Sequence, residues 1–246
     1  MEIKVAIHQA HYFPWLGYYD KMAKVDKFTL LDTVQLTDKS NMFRNLFLSK
    51  SGTVKYLTIP FEKKGYMEKA CCELTINQNI RWQDNHRNFI KDNYRKAAFF
   101  NEVWERISWI FEKKYEFLNE PVNDSLIAIK EMLNINTQII NQSELSHNSD
   151  FTKNDLILSL CTAVSADIYL SGNGAKKYMN DLMFEKNGIK VVYQLFTYPV
   201  YNQINSKEFI PNLSSLDMLF NCGIEKSREI FKNNVNASNE LEASNI

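Results

Sequence analysis

The stretch Lys4–Asp32, KVAIHQAHYFPWLGYYDKMAKVDKFTLLD, decides the fold. Ile3, Val5 and Ile7 alternate with Lys4 and Ala6, the period of a strand, and the run ends at His8. An aromatic turn follows, then Leu16 to Val25 reads as a short helix. Asp26 opens a second apolar run in which Phe28, Leu30 and Leu31 are nearly continuous, as in a strand covered on both faces. Strand, helix and strand within so few residues make a βαβ unit with a parallel pair.

The same grammar returns at DIYLSGNGAKKYMNDLMFEKNGIKVVYQLF, residues 167–196: strand, small-residue turn, helix, Gly188 as a cap, strand. Between the two units the pattern changes twice. Met42–Pro60 holds two apolar runs joined at Ser51-Gly52, a hairpin signal, and residues 71–77 are a further strand candidate. From Trp82 to Asn134 the apolar spacing becomes three and four, at Trp104, Ile107, Ile110 and Phe111, then at Leu126, Ile129, Met132 and Leu133. A polar junction over residues 141–155 offers Thr152 as an N-cap with Asp155 three positions on. The expectation is one α/β domain over residues 1–233: a mainly parallel central sheet with helices on both faces, an antiparallel hairpin lobe and a helical insertion. After Asn233 the apolar period is lost, so residues 234–246 are expected to be a disordered tail.

Composition narrows the function. The 29 basic and 29 acidic side chains cancel, so no global field draws the protein to nucleic acid or an anionic membrane, and an anionic ligand needs a local cluster. No apolar run reaches the roughly 18–20 residues of a membrane span, and the amino terminus lacks the pattern of a secretory signal. Cys71, Cys72, Cys161 and Cys222 form no CxxC pair and read as reduced thiols, which points to the cytoplasm.

The candidate site gathers at the carboxyl edge of the sheet, where open α/β folds bind ligands. His8 and His11 fall there and can work as acid or base near neutral pH; the competing reading packs them among Tyr12, Phe13, Trp15, Tyr18 and Tyr19. Those aromatics offer either core or a stacking surface. Asp32 and Gln35, in LDTVQ, end the second strand on that edge, where Asp32 can orient a histidine, hold a substrate ammonium or hydroxyl, or cap a turn. Arg44 in FRN can fork onto phosphate or carboxylate. His86 lies on a basic helix pattern whose charges otherwise read as a solvated face. Ser171 and Gly172 begin a small-residue turn whose backbone amides suit an anion. Tyr201 and Gln203 carry polar tips further on. No spacing demands a metal, and none is assigned.

Taken together, HQAHYFPWLGYYDK, LDTVQ, FRN, the RW–His86 segment, YLSG, YPVYNQ and PNLSSLDMLFNCG resemble the WbqC-like protein family, in that family's order and from His8 to Gly223. The matching positions are His8, Gln9, Tyr12, Pro14, Trp15, Gly17, Tyr18, Asp20, Lys21, Asp32, Gln35, Arg44, Asn45, His86, Ser171, Gly172, Tyr201, Gln203, Ser214 and Asp217. Ala10 stands where proline is usual. Thr33 stands where a second aspartate is usual, which weakens a two-carboxylate role for that motif.

The resemblance implies a bacterial cytoplasmic protein of surface-polysaccharide and O-antigen synthesis. It suggests a transferase placing an acyl or aminoacyl group on the amine of a nucleotide-linked deoxyamino sugar. The donor would be an acyl-CoA, an aminoacyl donor or an ATP-activated group, and a homodimer is compatible with this reading. His8 would be the base, with Asp32 orienting it. His86 and Arg44 would hold diphosphate, and Tyr12 and Trp15 would line the pocket. A looser likeness in layout, a histidine-bearing turn between a strand and a helix, links the chain to nucleotidyltransferases with a HxGH-type motif, although that spacing is absent. The alternatives are therefore adenylyl or nucleotidyl transfer, and non-catalytic binding of a sugar nucleotide.

Overall fold

The computed structural model describes residues 2–36, 40–148 and 150–244. Five strands form one parallel sheet: β1 (Lys4–His8), β2 (Lys27–Leu30), β5 (Gln138–Asn141), β6 (Ile168–Ser171) and β7 (Lys190–Tyr193), ordered β5-β2-β1-β6-β7. Counted by their appearance in the chain, the order is 3-2-1-4-5. The chain winds outward from β1 through β2 to β5, then crosses back to start again at β6. That reversal is a topological switch point, and it leaves a crevice between the carboxyl ends of β1 and β6.

Alternation along β1 explains why both faces are covered. Ala6 joins a large core with Leu16, Tyr19 and Met22 of α1 (Leu16–Ala23) and with Phe28 of β2. Val5 and Ile7 face the other way, onto Leu156, Leu160 and Cys161 of α5 (Lys153–Ala163) and Phe184 of α6 (Asp181–Glu185). A strand buried on both faces carries little polar side-chain surface along its length, so chemistry is confined to its end, at His8.

The segment between β2 and β5 carries the hairpin and the helices expected of it. The antiparallel pair β3 (Arg44–Leu48) and β4 (Val54–Thr58) turns at Gly52, whose φ of 78° suits glycine. Next come α2 (Trp82–Tyr94), α3 (Phe100–Ile107) and α4 (Asn119–Met132). After β7 the chain closes through α7 (Leu216–Cys222) and α8 (Ile224–Ser244).

Two expectations fail. Residues 71–77 are not a strand: Cys71–Glu73 is a 3-10 turn in which the Glu73 carboxylate accepts the Ala70 N–H at 2.8 Å, and Thr75 and Ile76 make only isolated bridges. Nor does order end at residue 233, because α8 continues to Ser244 and buries Val235 and Ser238. The loss of apolar period there misled, because this turn of α8 is held by a polar contact: the Ser238 hydroxyl meets the buried Asp20 carboxylate at 3.3 Å.

Candidate functional site

The aromatic turn after β1 is a structural hub. Tyr12 N–H donates to Met42 O at 3.1 Å, and Phe13 N–H to Ser125 Oγ at 2.9 Å. Asn45 Nδ2 donates to Tyr12 O and Phe13 O at 3.2 and 2.7 Å. Pro14 O accepts both the N–H and the hydroxyl of Ser215, at 2.9 and 2.8 Å. Every turn of this buried backbone finds a partner from a distant element, as burial requires, and Phe13 is held at a φ of 39°. Gly17 is demanded by the same packing, since a Cβ there would lie 2.0 Å from Trp15 Cζ3.

Several expected site residues therefore serve the scaffold. Tyr12 is fully buried and its hydroxyl meets His86 Nδ1 at 3.0 Å, while His86 Nε2 meets Thr58 O at 3.1 Å. A carbonyl only accepts, so Nε2 carries the proton and Nδ1 accepts from Tyr12. Burial pushes the His86 pKa down to about 4 against the lift from its Thr58 bond, so the ring is neutral and suited to bridging rather than to holding diphosphate. Trp15 packs on Phe196 and Tyr198, not on the crevice. Asp20 is ion-paired with Lys24 at 3.0 Å and bonded by Gln194 at 2.7 Å. Asp32 does not orient His8: its two oxygens accept the N–H and hydroxyl of Ser143 at 2.9 and 2.5 Å, capping the turn after β5. Tyr201 and Gln203 both donate to Asp217 Oδ2, at 2.9 and 2.8 Å, and Tyr94 donates to its Oδ1 at 3.1 Å. Gln35 supports from behind, its carbonyl accepting Gln9 Nε2 at 3.2 Å. Arg44 sits on a separate cavity.

What gathers at the switch point is a smaller set. A cavity of about 650 Å³ is lined by His8, Gln9, Ser171 and Gly172 from the expected residues. Lys21, Lys153, Asn154 and Tyr178 join them, with apolar walls from Ile7, Leu31, Val34, Leu156, Ile157 and Met179. His11 and Tyr18 back His8: the His8–His11 ring centroids are 4.8 Å apart and His8–Tyr18 5.3 Å, and the Tyr18 hydroxyl donates to Gln9 O at 3.1 Å. His11 Nδ1 is buried with no hydrogen-bond partner among the described residues.

The electrostatics of this cavity set its chemistry. His8 Nδ1 lies 3.0 Å from Gln9 O, so the proton sits on Nδ1 and Nε2 keeps its lone pair. Burial, reinforced by the Lys21 ammonium, pushes the His8 pKa down to about 4, against the lift from its bond to Gln9. His11 is held well below its ordinary value by burial, then by His8 and Lys21. Lys21 is buried, its Nζ donates to Ile7 O at 3.1 Å, and among the described residues no carboxylate neutralises it. Burial pulls its pKa down to about 8, which leaves it mostly charged at neutral pH. A buried ammonium without a counter-charge costs several kcal/mol, and groups perturbed in this way cluster at functional sites. The amino terminus of α5 opens on the same cavity, its first residue Lys153 held at a φ of 52°, so its free backbone amides add to the positive end. Ser171 Oγ is buried there without a well-formed hydrogen bond.

Lys153 and Tyr178 were not singled out from the sequence, and Lys21 entered only as a position matching the family, with no role given. For Lys21 a signal exists: it stands among Leu16, Tyr18, Tyr19 and Met22 in a short helix that is buried from Leu16 to Met22, and its ammonium turns to the strand end, where it meets Ile7 O. Two other hollows, of about 590 and 480 Å³, lie under α8 at the amino end of the sheet and beside α4; neither holds a histidine or a buried lysine. Among the described residues no group of three histidine, cysteine, aspartate or glutamate side chains is arranged to hold a metal ion, and no helix is long and apolar enough to cross a membrane.

The fold is a doubly wound α/β sheet whose switch-point crevice brings the neutral His8 and the buried Lys21 into one cavity at the ends of β1 and β6. The chain belongs to the WbqC-like protein family, whose sequence model matches residues 9–229. It is also 31% identical over 225 residues to the uncharacterized protein Rv1507c of Mycobacterium tuberculosis, a match that covers 90% of this chain and 95% of that one. No solved structure matches the chain.

Proposed function

We propose that the protein is a transferase of bacterial surface-polysaccharide synthesis that binds a nucleotide-linked deoxyamino sugar in the β1/β6 crevice and places an acyl or aminoacyl group on its amine. The observation that carries this reading is the pairing in one cavity of His8, with Nε2 free to accept a proton, and Lys21, a buried cation without a carboxylate. Lys21 and the α5 amides would hold the diphosphate, while Ile157, Met179 and Tyr178 offer an apolar surface for the base or sugar ring. In the transfer step the sugar amine attacks the acyl carbon, a C–N bond forms and the bond from the acyl carbon to its carrier breaks. The amine proton passes to His8 Nε2 and from there to the departing carrier. The depressed basicity of His8 suits a step in which the proton is lost as the C–N bond forms, since the attacking nitrogen is then strongly acidic. His11 and Tyr18 keep the ring in place.

The strand order and the histidine beside the crevice also favour a second reading, adenylyl or nucleotidyl transfer, in which Lys21 would stabilise the transferring phosphate and pyrophosphate would leave. Incubating the protein with a panel of amino-sugar nucleotides, acyl donors and ATP, while following sugar mass and pyrophosphate, separates the two. A gain of acyl mass without pyrophosphate supports acyl transfer. ATP-dependent pyrophosphate supports the second reading. Acyl transfer requires that His8→Gln lose turnover by about a hundredfold or more while nucleotide binding stays; unchanged turnover in that variant removes His8 as the base. No turnover across the panel, with nucleotide still bound, leaves a binding protein.

A further inference from the structure

Arg44 was expected to share the His8 site, yet it opens onto a second cavity of about 740 Å³ between the hairpin and the loop that follows β4. Three of the side chains lining that cavity are cationic, Arg44, Lys63 and Lys64, against a single carboxylate, Glu62. The Arg44 guanidinium lies 4.6 Å from the Tyr56 ring centroid and 5.4 Å from that of Phe43, which fixes its plane. Among the described residues its enclosed Nε is bonded to nothing and no acidic side chain pairs with it. Held flat by two rings, with no acceptor on Nε among the described residues, the guanidinium is set for a forked bond to phosphate or carboxylate. Most of the remaining wall is apolar, with Leu36, Phe43, Ile59, Pro60, Phe61 and Ile80 broken by Thr58, Tyr66 and Asn77, and Ile80 is 47% exposed. The ligand that fits is anionic at one end and uncharged along the other.

The two cavities are neighbours. Gln9, in the wall of the first, donates to the carbonyl of Gln35 at 3.2 Å, and the next residue, Leu36, is in the wall of the second. We propose that this second cavity binds the phosphorylated acyl donor, a phosphopantetheine-type thioester, with its phosphate on Arg44, Lys63 and Lys64 and its uncharged arm along the apolar wall toward the Gln35–Leu36 partition. Naming the ligand as a donor rests on the acyl-transfer reading above; the amphipathic anion site itself does not. A transferase with separate sites for donor and acceptor can hold both at once, here on the two sides of the Gln35–Leu36 partition.

The test is calorimetric titration of the full chain with coenzyme A and, separately, with uridine diphosphate as a probe of the crevice. Coenzyme A is expected to bind whether or not uridine diphosphate is present. Arg44→Met should weaken coenzyme A at least about tenfold, since bonds to charged groups are the stronger kind, and leave uridine diphosphate unchanged. Lys21→Met should do the reverse. Lys63→Glu with Lys64→Glu, on the exposed rim where folding is not at stake, should repeat the Arg44 effect. Competition between the two ligands for one site, no binding of coenzyme A by the native protein, or full affinity in the Lys63/Lys64 double variant overturns the proposal. If Lys21→Met leaves uridine diphosphate unaffected while Arg44→Met weakens coenzyme A, the crevice reading fails and the second site stands.

Discussion

Acid should unfold this protein through its neutral histidines, and His86 allows the effect to be worked out for one side chain. Its ring accepts from Tyr12 and donates to Thr58, an arrangement that exists only while it carries one proton. Burial lowers its pKa from 6.5 to about 4 in the folded state. The unfolded chain therefore binds the proton first, so stability is complete above pH 6.5, falls as pH drops through the interval from 6.5 to 4, and loses no more below it. At pH 5 the unfolded ring is protonated and the folded one is not. A gap of roughly 1.5 units at about 1.36 kcal/mol per unit gives a loss of about 2 kcal/mol relative to pH 7. His86→Gln keeps an amide donor for Thr58 and an oxygen to accept from Tyr12, but cannot titrate. Urea denaturation of both proteins at pH 7 and pH 5 should show a loss of stability in the variant smaller by about 2 kcal/mol. Equal losses in the two proteins would refute the neutral bridge, even if the variant were less stable at both pH values.

Two further predictions concern the hub and the crevice. Asn45→Ala removes both donors to the Tyr12 and Phe13 carbonyls and should cost about 1–3 kcal/mol by urea titration, because those oxygens stay buried without water. Lys21, with its pKa drawn down to about 8, should be acylated by a small amine-directed reagent at pH 8 faster than the surface lysines, as followed by peptide mass. Uridine diphosphate should protect it, and equal labelling with and without the nucleotide would separate Lys21 from the ligand.

The βαβ opening, the hairpin at Gly52 and the placing of His8 at the carboxyl edge were legible because each follows from periodicity, turn chemistry or the direction of a parallel sheet. The roles of Asp32, His86 and Arg44 were not, because residue type and edge position do not say where a side chain turns. Asp32 does stand at the end of β2, yet its partner Ser143 is 111 residues away and comes from the turn after β5. His86 was flagged as an isolated histidine on a basic helix, and only the docking of α2 against the hairpin reveals that it bridges Tyr12 and Thr58. Several of the positions that carry the family likeness, Asn45, Pro14 and Gly17 among them, act on the hub that sets the position of β1's end. A motif can thus be specific without lining the crevice.

The contact between Ser238 and Asp20 has a bearing on how the crevice is held. Asp20 sits on α1 one residue before Lys21, and it takes bonds from Gln194 and Ser238 as well as from Lys24. One turn of α1 thus presents a buried ammonium to the strand end and a buried carboxylate to α8 and to the segment after β7. A change in the docking of α8 would pull on the aspartate and, through the peptide bond they share, on the lysine, so a helix that lines no part of the crevice has a mechanical hold on its cation.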